Sequence, residues 1–213
     1  MRLVDVHARL STMGLPAFRT SDAAAFLGLG TPHASKLLAR LALSGHLVRL
    51  GRARWGFKDR IDPLALPEFL TSPYPSYVSL QSALFHHGMI SQIPSVLYAV
   101  SPARTRTYRT PLGTVSVHHV QPTFFFGYES PGKGGGKIAT AEKALVDFLY
   151  LGPARSSLFR ALPELDLTIG FRISTARKII RRIRSVRRRN HVARLFEELL
   201  EARPGAQGDF SAR

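Results

Sequence analysis

TSDAAAFLGLGTPHASKLLARLALSGHLVRLGRARWGF, Thr20 to Phe57, sets its structural signals in one consistent order. Thr20 or Ser21 can cap a helix running through Ala23, Ala24, Ala25, Phe26 and Leu27. Gly28 and Gly30 then supply the positive φ that a sharp interhelical turn demands. Thr31 is the expected N-cap of the next helix, with Pro32 at its first position, where a missing N–H costs nothing. That helix reaches Ser44 with Leu37, Leu38, Leu41, Ala34 and Ala42 facing a core, and Gly45 stops it. His46 to Leu50 and Trp55 to Phe57 read as two short strands around Gly51, Arg52, Ala53 and Arg54.

Upstream, Leu3, Val4, His7 and Leu10, followed less strictly by Met13 and Leu15, recur at helical spacing and predict a first helix ending near Gly14. Helix, turn, helix and a basic two-strand hairpin together predict a winged helix-turn-helix over residues 1–60. Such a module meets duplex DNA through the N-terminal half of its last helix. Here Thr31, His33, Ser35, Lys36 and Arg40 suit base edges and flanking phosphates, and Arg52 and Arg54 suit phosphate or the minor groove. The competing reading is a small helical domain with a solvated basic turn.

The charge agrees with a polyanionic partner. The 213-residue chain carries 30 Lys and Arg against 14 Asp and Glu, a formal net charge of +16. Residues 2–60 hold ten cations and three acids, 61–171 hold eight and seven, and 172–194 hold ten and none. The absence of cysteine excludes disulfides, thiolate metal sites and a Cys nucleophile, and fits the cytosol. Neither a signal-peptide pattern nor a membrane-spanning apolar run is present, so a cytoplasmic protein with no membrane partner is expected.

Pro63, Pro67, Pro73 and Pro75 make residues 61–76 an expected linker, with a short apolar turn at Leu64 to Leu70 at most. Ser79 can cap a helix from Leu80 to His87, ended by Gly88. Strands are expected at Val96 to Val100, Arg104 to Thr110 and Thr114 to Val120, with an aromatic one at Phe124 to Tyr128. Ser130 to Lys137 reads as a mobile loop, and its GKGGGK falls short of a phosphate loop in spacing and lacks the final Ser or Thr. Thr140 caps a helix with an apolar stripe of Ala141, Ala144, Leu145, Phe148 and Leu149, Glu142 lies near its start, and Lys143 with Asp147 is expected as a surface pair.

YVSLQSALFHHGMISQIP from Tyr77, YRTPLGTVSVHHV from Tyr108 and IATAEKALVDFLYL from Ile138, behind such a head, resemble the AbiEi antitoxin family of type IV toxin-antitoxin systems, known from phage defence. The resemblance covers roughly residues 1–150. It implies a transcriptional autorepressor that binds inverted repeats in its own promoter. It also implies a C-terminal domain that counters a nucleotidyltransferase toxin without a stable complex, and no catalytic residue or cofactor in the antitoxin.

The histidine pairs His86-His87 and His118-His119 invite a metal, but adjacent residues diverge on a helix and point to opposite faces on a strand, so no metal site is assigned. Asp62, Glu68, Glu129, Glu142, Asp147, Glu164 and Asp166 are too scattered for nuclease chemistry, and Glu142 and Asp147 stand five apart on one helix. From Ser174, Ile173, Ala176, Ile179, Ile180, Ile183 and Val186 form a helical stripe to about residue 189. Its other faces carry Arg177, Lys178, Arg181, Arg182, Arg184, Arg187, Arg188 and Arg189, and Asn190 marks the join to a helix at Val192 to Leu200 with Glu197, Glu198 and Glu201 late in it. Phosphate-contacting, RNA-binding and merely solvated faces compete here, and crowded like charge favours an anionic partner.

The expectation is therefore an α+β protein: a winged helix-turn-helix at 1–60, a linker at 61–76 and a mixed domain at 77–213 with a small sheet and a basic helix at 173–189. The expected function is non-enzymatic autorepression and antitoxicity. The alternatives are an RNA-binding protein using the arginine-rich helix and the aromatic strand, and a nucleic-acid-modifying enzyme.

Overall fold

Asp5 accepts the N–H of Arg2 at 3.3 Å and so starts the first helix, α1 (Leu3–Ser11). The structure is a computed structural model describing residues 2–131, 134–152 and 165–201. It is α+β. In chain order α1 is followed by β1 (Ala17–Arg19), α2 (Thr20–Leu27), α3 (Thr31–Leu43), β2 (Val48–Gly51) and β3 (Arg54–Gly56). Next come α4 (Leu66–Thr71), β4 (Tyr77–Val78), α5 (Leu80–His86), β5 (Leu97–Ser101), β6 (Arg106–Thr110) and β7 (Gly113–His119). The described elements end with β8 (Tyr128–Glu129), β9 (Ile138–Ala139), α6 (Ala141–Leu151), α7 (Ile173–Arg181) and α8 (Val186–Glu201).

The chain divides into two compact units, the first holding residues 1–78, 95–120 and 130–138. In it Val6 and Leu10, one helical turn apart, are fully buried, whereas Val4 is 72% exposed. The expected stripe therefore turns from Val4 to Val6. The start of α2 also differs from expectation. Asp22 Oδ2 accepts the N–H of Arg19 at 2.9 Å, while the Thr20 hydroxyl accepts the indole N–H of Trp55 at 2.8 Å inside the core. A buried indole N–H left unpaired would cost about 1–3 kcal/mol, so Thr20 serves the core and Asp22 the cap. Gly28 ends α2 at φ 69, and Gly30 rather than Thr31 caps α3, placing Pro32 second.

A strand absent from the expectation, β1, completes a three-stranded antiparallel sheet in the order β1-β3-β2. Phe18 lies opposite Trp55, and both join Val6, Leu10, Leu38, Leu41, Leu47 and Phe57 in one apolar core.

A second sheet in the same unit begins β6-β7-β5-β4-β9 and is mixed: β6 runs antiparallel to β7, β7 parallel to β5, β5 antiparallel to β4, and Val78 pairs in parallel with Ile138. Residues 61–76 are not a bare connection. Ile61, Leu66 and Leu70 pack with Leu50 of β2 and with Ala99, Val115 and Val117, so one core joins the hairpin to the second sheet across the expected boundary. The prolines that suggested a linker permit this, because Pro67 lies in the first turn of α4, where its missing N–H is harmless. Two glycines of the expected mobile loop lie close against the chain: a Cβ on Gly136 would stand 2.9 Å from the Leu64 carbonyl carbon, and one on Gly134 2.7 Å from Asp62 Cβ. Gly132 and Lys133 of that loop, together with Glu164 and Arg203, lie outside the described residues.

The second unit holds residues 79–94, 121–129 and 139–213. Thr140 caps α6, accepting the N–H of Lys143 at 3.3 Å, and every residue from Glu142 to Leu151 is buried. The aromatic run does not form a strand. Pro122 to Phe124 make a 3-10 turn, Phe124 lies 4.6 Å from the Tyr150 ring, and only Tyr128 and Glu129 are extended. The basic segment breaks at Arg182 to Ser185 rather than at Asn190, with the Ser185 hydroxyl accepting the N–H of Arg188 at 3.4 Å to start α8. Val186 consequently leaves the stripe and is 58% exposed, while Ala176, Ile179, Ile180, Ile183, Val192 and Phe196 are buried. No helix among the described residues is long and apolar enough to cross a membrane.

Candidate nucleic-acid interface

Burying Ala34, Leu37, Leu38 and Leu41 fixes the rotation of α3 and turns Thr31, His33, Ser35, Lys36 and Arg40 to solvent. His33, Lys36 and Arg40 follow at i, i+3 and i+7 and make one stripe. No acid lies on this helix, so nothing along it competes for the two cations.

The hairpin separates its two arginines. Arg52 is exposed at the tip, beside Ala53 at φ 55, and the Ala53 carbonyl accepts the N–H of Thr20 at 3.0 Å, tying the tip to the start of α2. Arg54 lies across the ladder from Arg19, and both guanidiniums donate to the Ser72 carbonyl, at 3.1 and 3.3 Å. Arg19 also donates to the Ser72 hydroxyl at 3.0 Å. Arg54 is thus half-buried and engaged within its own unit. Arg49, not among the expected contacts, is exposed and sits 5.7 Å over the Trp55 ring. The alternation Val48, Arg49, Leu50 was the signal for it, since neighbours on a strand face opposite sides.

At the other end of this core His7 lies 4.8 Å from the His46 ring and 5.7 Å edge-on to Phe57. Arg60 covers Phe57 at 4.6 Å and donates to the Ser11 carbonyl at 3.0 Å. Burial, then the neighbouring His46 and Arg60, push the His7 imidazole below its ordinary 6.5. The unfolded chain therefore takes up this proton first as pH falls, so the contribution of neutral His7 is present above about pH 6.5 and is lost below it. The melting midpoint should drop between about pH 7.5 and about pH 5, and His7→Asn should drop less. Equal losses in scanning calorimetry would remove His7 as the source.

In the second unit the arginines differ in their engagement. Arg177 binds Glu197 with two hydrogen bonds, at 3.0 and 2.8 Å, which raise the guanidinium and lower the carboxyl. Arg182 Cζ sits 3.4 Å over the Phe126 ring, Arg188 stands 4.7 Å over Tyr150, and Arg189 donates to the Ile183 carbonyl at 3.2 Å. Lys178, Arg181, Arg184 and Arg187 are exposed and form no ion pair among the described residues. Arg187, Arg188 and Arg189 all lie in the first turn of α8, the positive end of its dipole.

Lys143 and Asp147 correct the expectation of a surface pair. Both side chains are fully buried, Lys143 Nζ is hydrogen-bonded to Asp147 Oδ1, and Ser79 Oγ donates to Asp147 Oδ2 at 2.9 Å. Phe124 and Phe126 cover the ammonium, with ring centres at 4.0 and 5.1 Å. Gly127 allows the close cover, because a Cβ there would meet Lys143 Cγ at 3.0 Å. Desolvation pushes the lysine below its usual range against the opposing pull of Asp147, and Arg182 adds to the lowering. Glu142 turns the other way and accepts the N–H of Arg172 at 3.0 Å.

The histidine pairs are spread among separate partners. His87 donates to the Ala139 carbonyl at 2.7 Å, His118 bonds the Ser116 hydroxyl at 3.1 Å, and His119 lies 3.1 Å from the Pro102 and Ala103 carbonyls. Among the described residues no three His, Asp or Glu side chains converge as metal ligands. No protein-family model and no curated protein matches this chain.

Proposed function

We propose that residues 1–60 form a winged helix-turn-helix and that the protein is a cytoplasmic, sequence-specific repressor of its own promoter. The observation that carries this reading is the acid-free outer face of α3, with Thr31, His33, Ser35, Lys36 and Arg40 exposed, in one unit with a hairpin that presents Arg52. The N-terminal half of α3 enters the major groove, Lys36 and Arg40 meet base edges or flanking phosphates, and Arg52 meets the adjacent backbone. Arg54 holds the hairpin in place through Ser72. Inverted repeats would seat two copies.

The antitoxin half of the proposal rests on the likeness of the segments from Tyr77, Tyr108 and Ile138 to the AbiEi family. It assigns the protein a nucleotidyltransferase toxin as functional counterpart without a stable complex, and neither cofactor nor catalytic residue. The exposed cations Lys178, Arg181, Arg184 and Arg187 supply a second anionic-ligand surface. The aromatic run lends little support to RNA recognition, since Phe124 and Phe126 are taken up by Lys143, Tyr150 and Arg182. A mobility shift on the upstream duplex, with an unrelated duplex and RNA of equal length beside it, tests the proposal. The upstream duplex should bind tightest, and tighter binding of the RNA would overturn it.

A further inference from the structure

The first unit holds a second set of cations that the proposed reading does not use. From residue 95 to residue 120 the chain carries Arg104, Arg106 and Arg109 and no acid. All three arginines are exposed. They lie on β6 and in the turn before it, and β6 is the terminal strand of its sheet. We infer that this edge is a phosphate-contacting surface for the duplex backbone that flanks the base pairs read by α3. The inference rests on the DNA-binding reading and extends the interface to a strand outside the three-helix module.

Packing places the edge beside the hairpin. Tyr108 of β6 and Leu112 of the following turn pack on the same core as Val48 and Leu50 of β2, and β2 and β6 are in contact. The outward residues of β2 and the tip after it are Arg49 and Arg52, so the two basic strands adjoin. Arg106 stands 5.0 Å over Tyr108, which holds its stem against the strand, and no ion pair among the described residues engages any of the three. Arg106 to Arg109 spans about 10 Å of β6, and Arg104 stands just before the strand. Arg106 shares the face of Tyr108 and Arg109 leaves by the opposite one, so a duplex backbone running along the edge, with a phosphate about every 3.4 Å of axis on each strand, comes within reach of long cations from both sides of it. The outer backbone N–H groups of an edge strand add donors that phosphate also accepts.

The simpler role for charge on an edge is to keep other strands from pairing with it. One or two cations serve that purpose, and an edge guard has no need for the neighbouring hairpin to carry the same charge. A polyanion alongside both strands uses all of them.

The test is salt-dependent binding of the full chain to the upstream duplex and to an unrelated duplex. The triple change Arg104→Ala, Arg106→Ala and Arg109→Ala should make the slope of log affinity against log salt shallower by about 0.9 per arginine, nearly equally on both duplexes. Replacing the same three with lysine should restore the slope, since counterion release counts charge rather than guanidinium geometry. An unchanged slope in the alanine variant, while Lys36→Ala with Arg40→Ala loses binding, overturns this inference and leaves the DNA reading intact. Self-association of the alanine variant on gel filtration at unchanged affinity makes the arginines an edge guard and overturns it too. A wild-type chain that binds neither duplex overturns both.

Discussion

Exchanging Lys143 for methionine should lower the unfolding free energy by about 3–5 kcal/mol, because it leaves the Asp147 carboxylate buried without its counter-charge. That is a large part of the roughly 5–15 kcal/mol that holds a domain folded. Ser79 still donates one hydrogen bond to Asp147, but a hydroxyl cannot neutralise the charge. Removing all three polar groups together, Ser79→Ala with Lys143→Met and Asp147→Leu, should recover most of the loss, as buried ion pairs replaced by apolar groups of similar volume generally do. Urea denaturation of the single and triple variants checks this. A single variant as stable as the wild type would mean that water reaches Asp147.

The second large effect concerns affinity and separates residues that the sequence grouped. Lys36→Ala and Arg40→Ala should each weaken binding to the upstream duplex by about 1–3 kcal/mol if the side chain reaches a base edge, with a smaller loss on an unrelated duplex. Arg52→Ala should weaken both duplexes alike, as a phosphate contact does. Arg54→Ala should lower the melting midpoint through the lost Ser72 contact and leave the affinity of the folded protein close to wild type. Titrations by fluorescence anisotropy, beside thermal melts, resolve the two behaviours. Full affinity in the Lys36, Arg40 and Arg52 variants would place the interface on another surface.

The sequence showed α3 clearly because Leu37, Leu38 and Leu41 leave no choice of buried face, and the polar residues follow from that rotation. It hid β1, whose three residues, Ala17, Phe18 and Arg19, are too few to alternate visibly and are held by pairing with a strand far along the chain. It hid the engagement of Arg54 for the same reason, since Ser72 belongs to a stretch that read as a linker. Lys143 and Asp147 read as a surface pair because helical i, i+4 charges usually are one. A contrary signal was present: Ala144, Leu145, Phe148 and Leu149 cover one side of α6, and Val146, Tyr150 and Leu151 stand around Lys143 and Asp147 on the other, so the helix has no polar face on which to put a lysine. Ser185 likewise offered a cap between α7 and α8 that the run of arginines concealed.

The turn at Arg182 to Ser185 has a consequence for how this molecule tolerates its surroundings. A single straight helix would carry its cations along one axis, whereas the break between α7 and α8 sets the exposed Arg181, Arg184 and Arg187 at the end of one helix, in the turn and at the start of the next. Like charges repel, and dissolved ions relieve that repulsion at distances beyond about 8 Å at physiological ionic strength. Added electrolyte thus firms the turn while loosening any grip it has on a polyanion. The same ions would act with opposite sign on the fold and on a polyanion bound there, and such a ligand would take over from them the task of offsetting the arginines' repulsion.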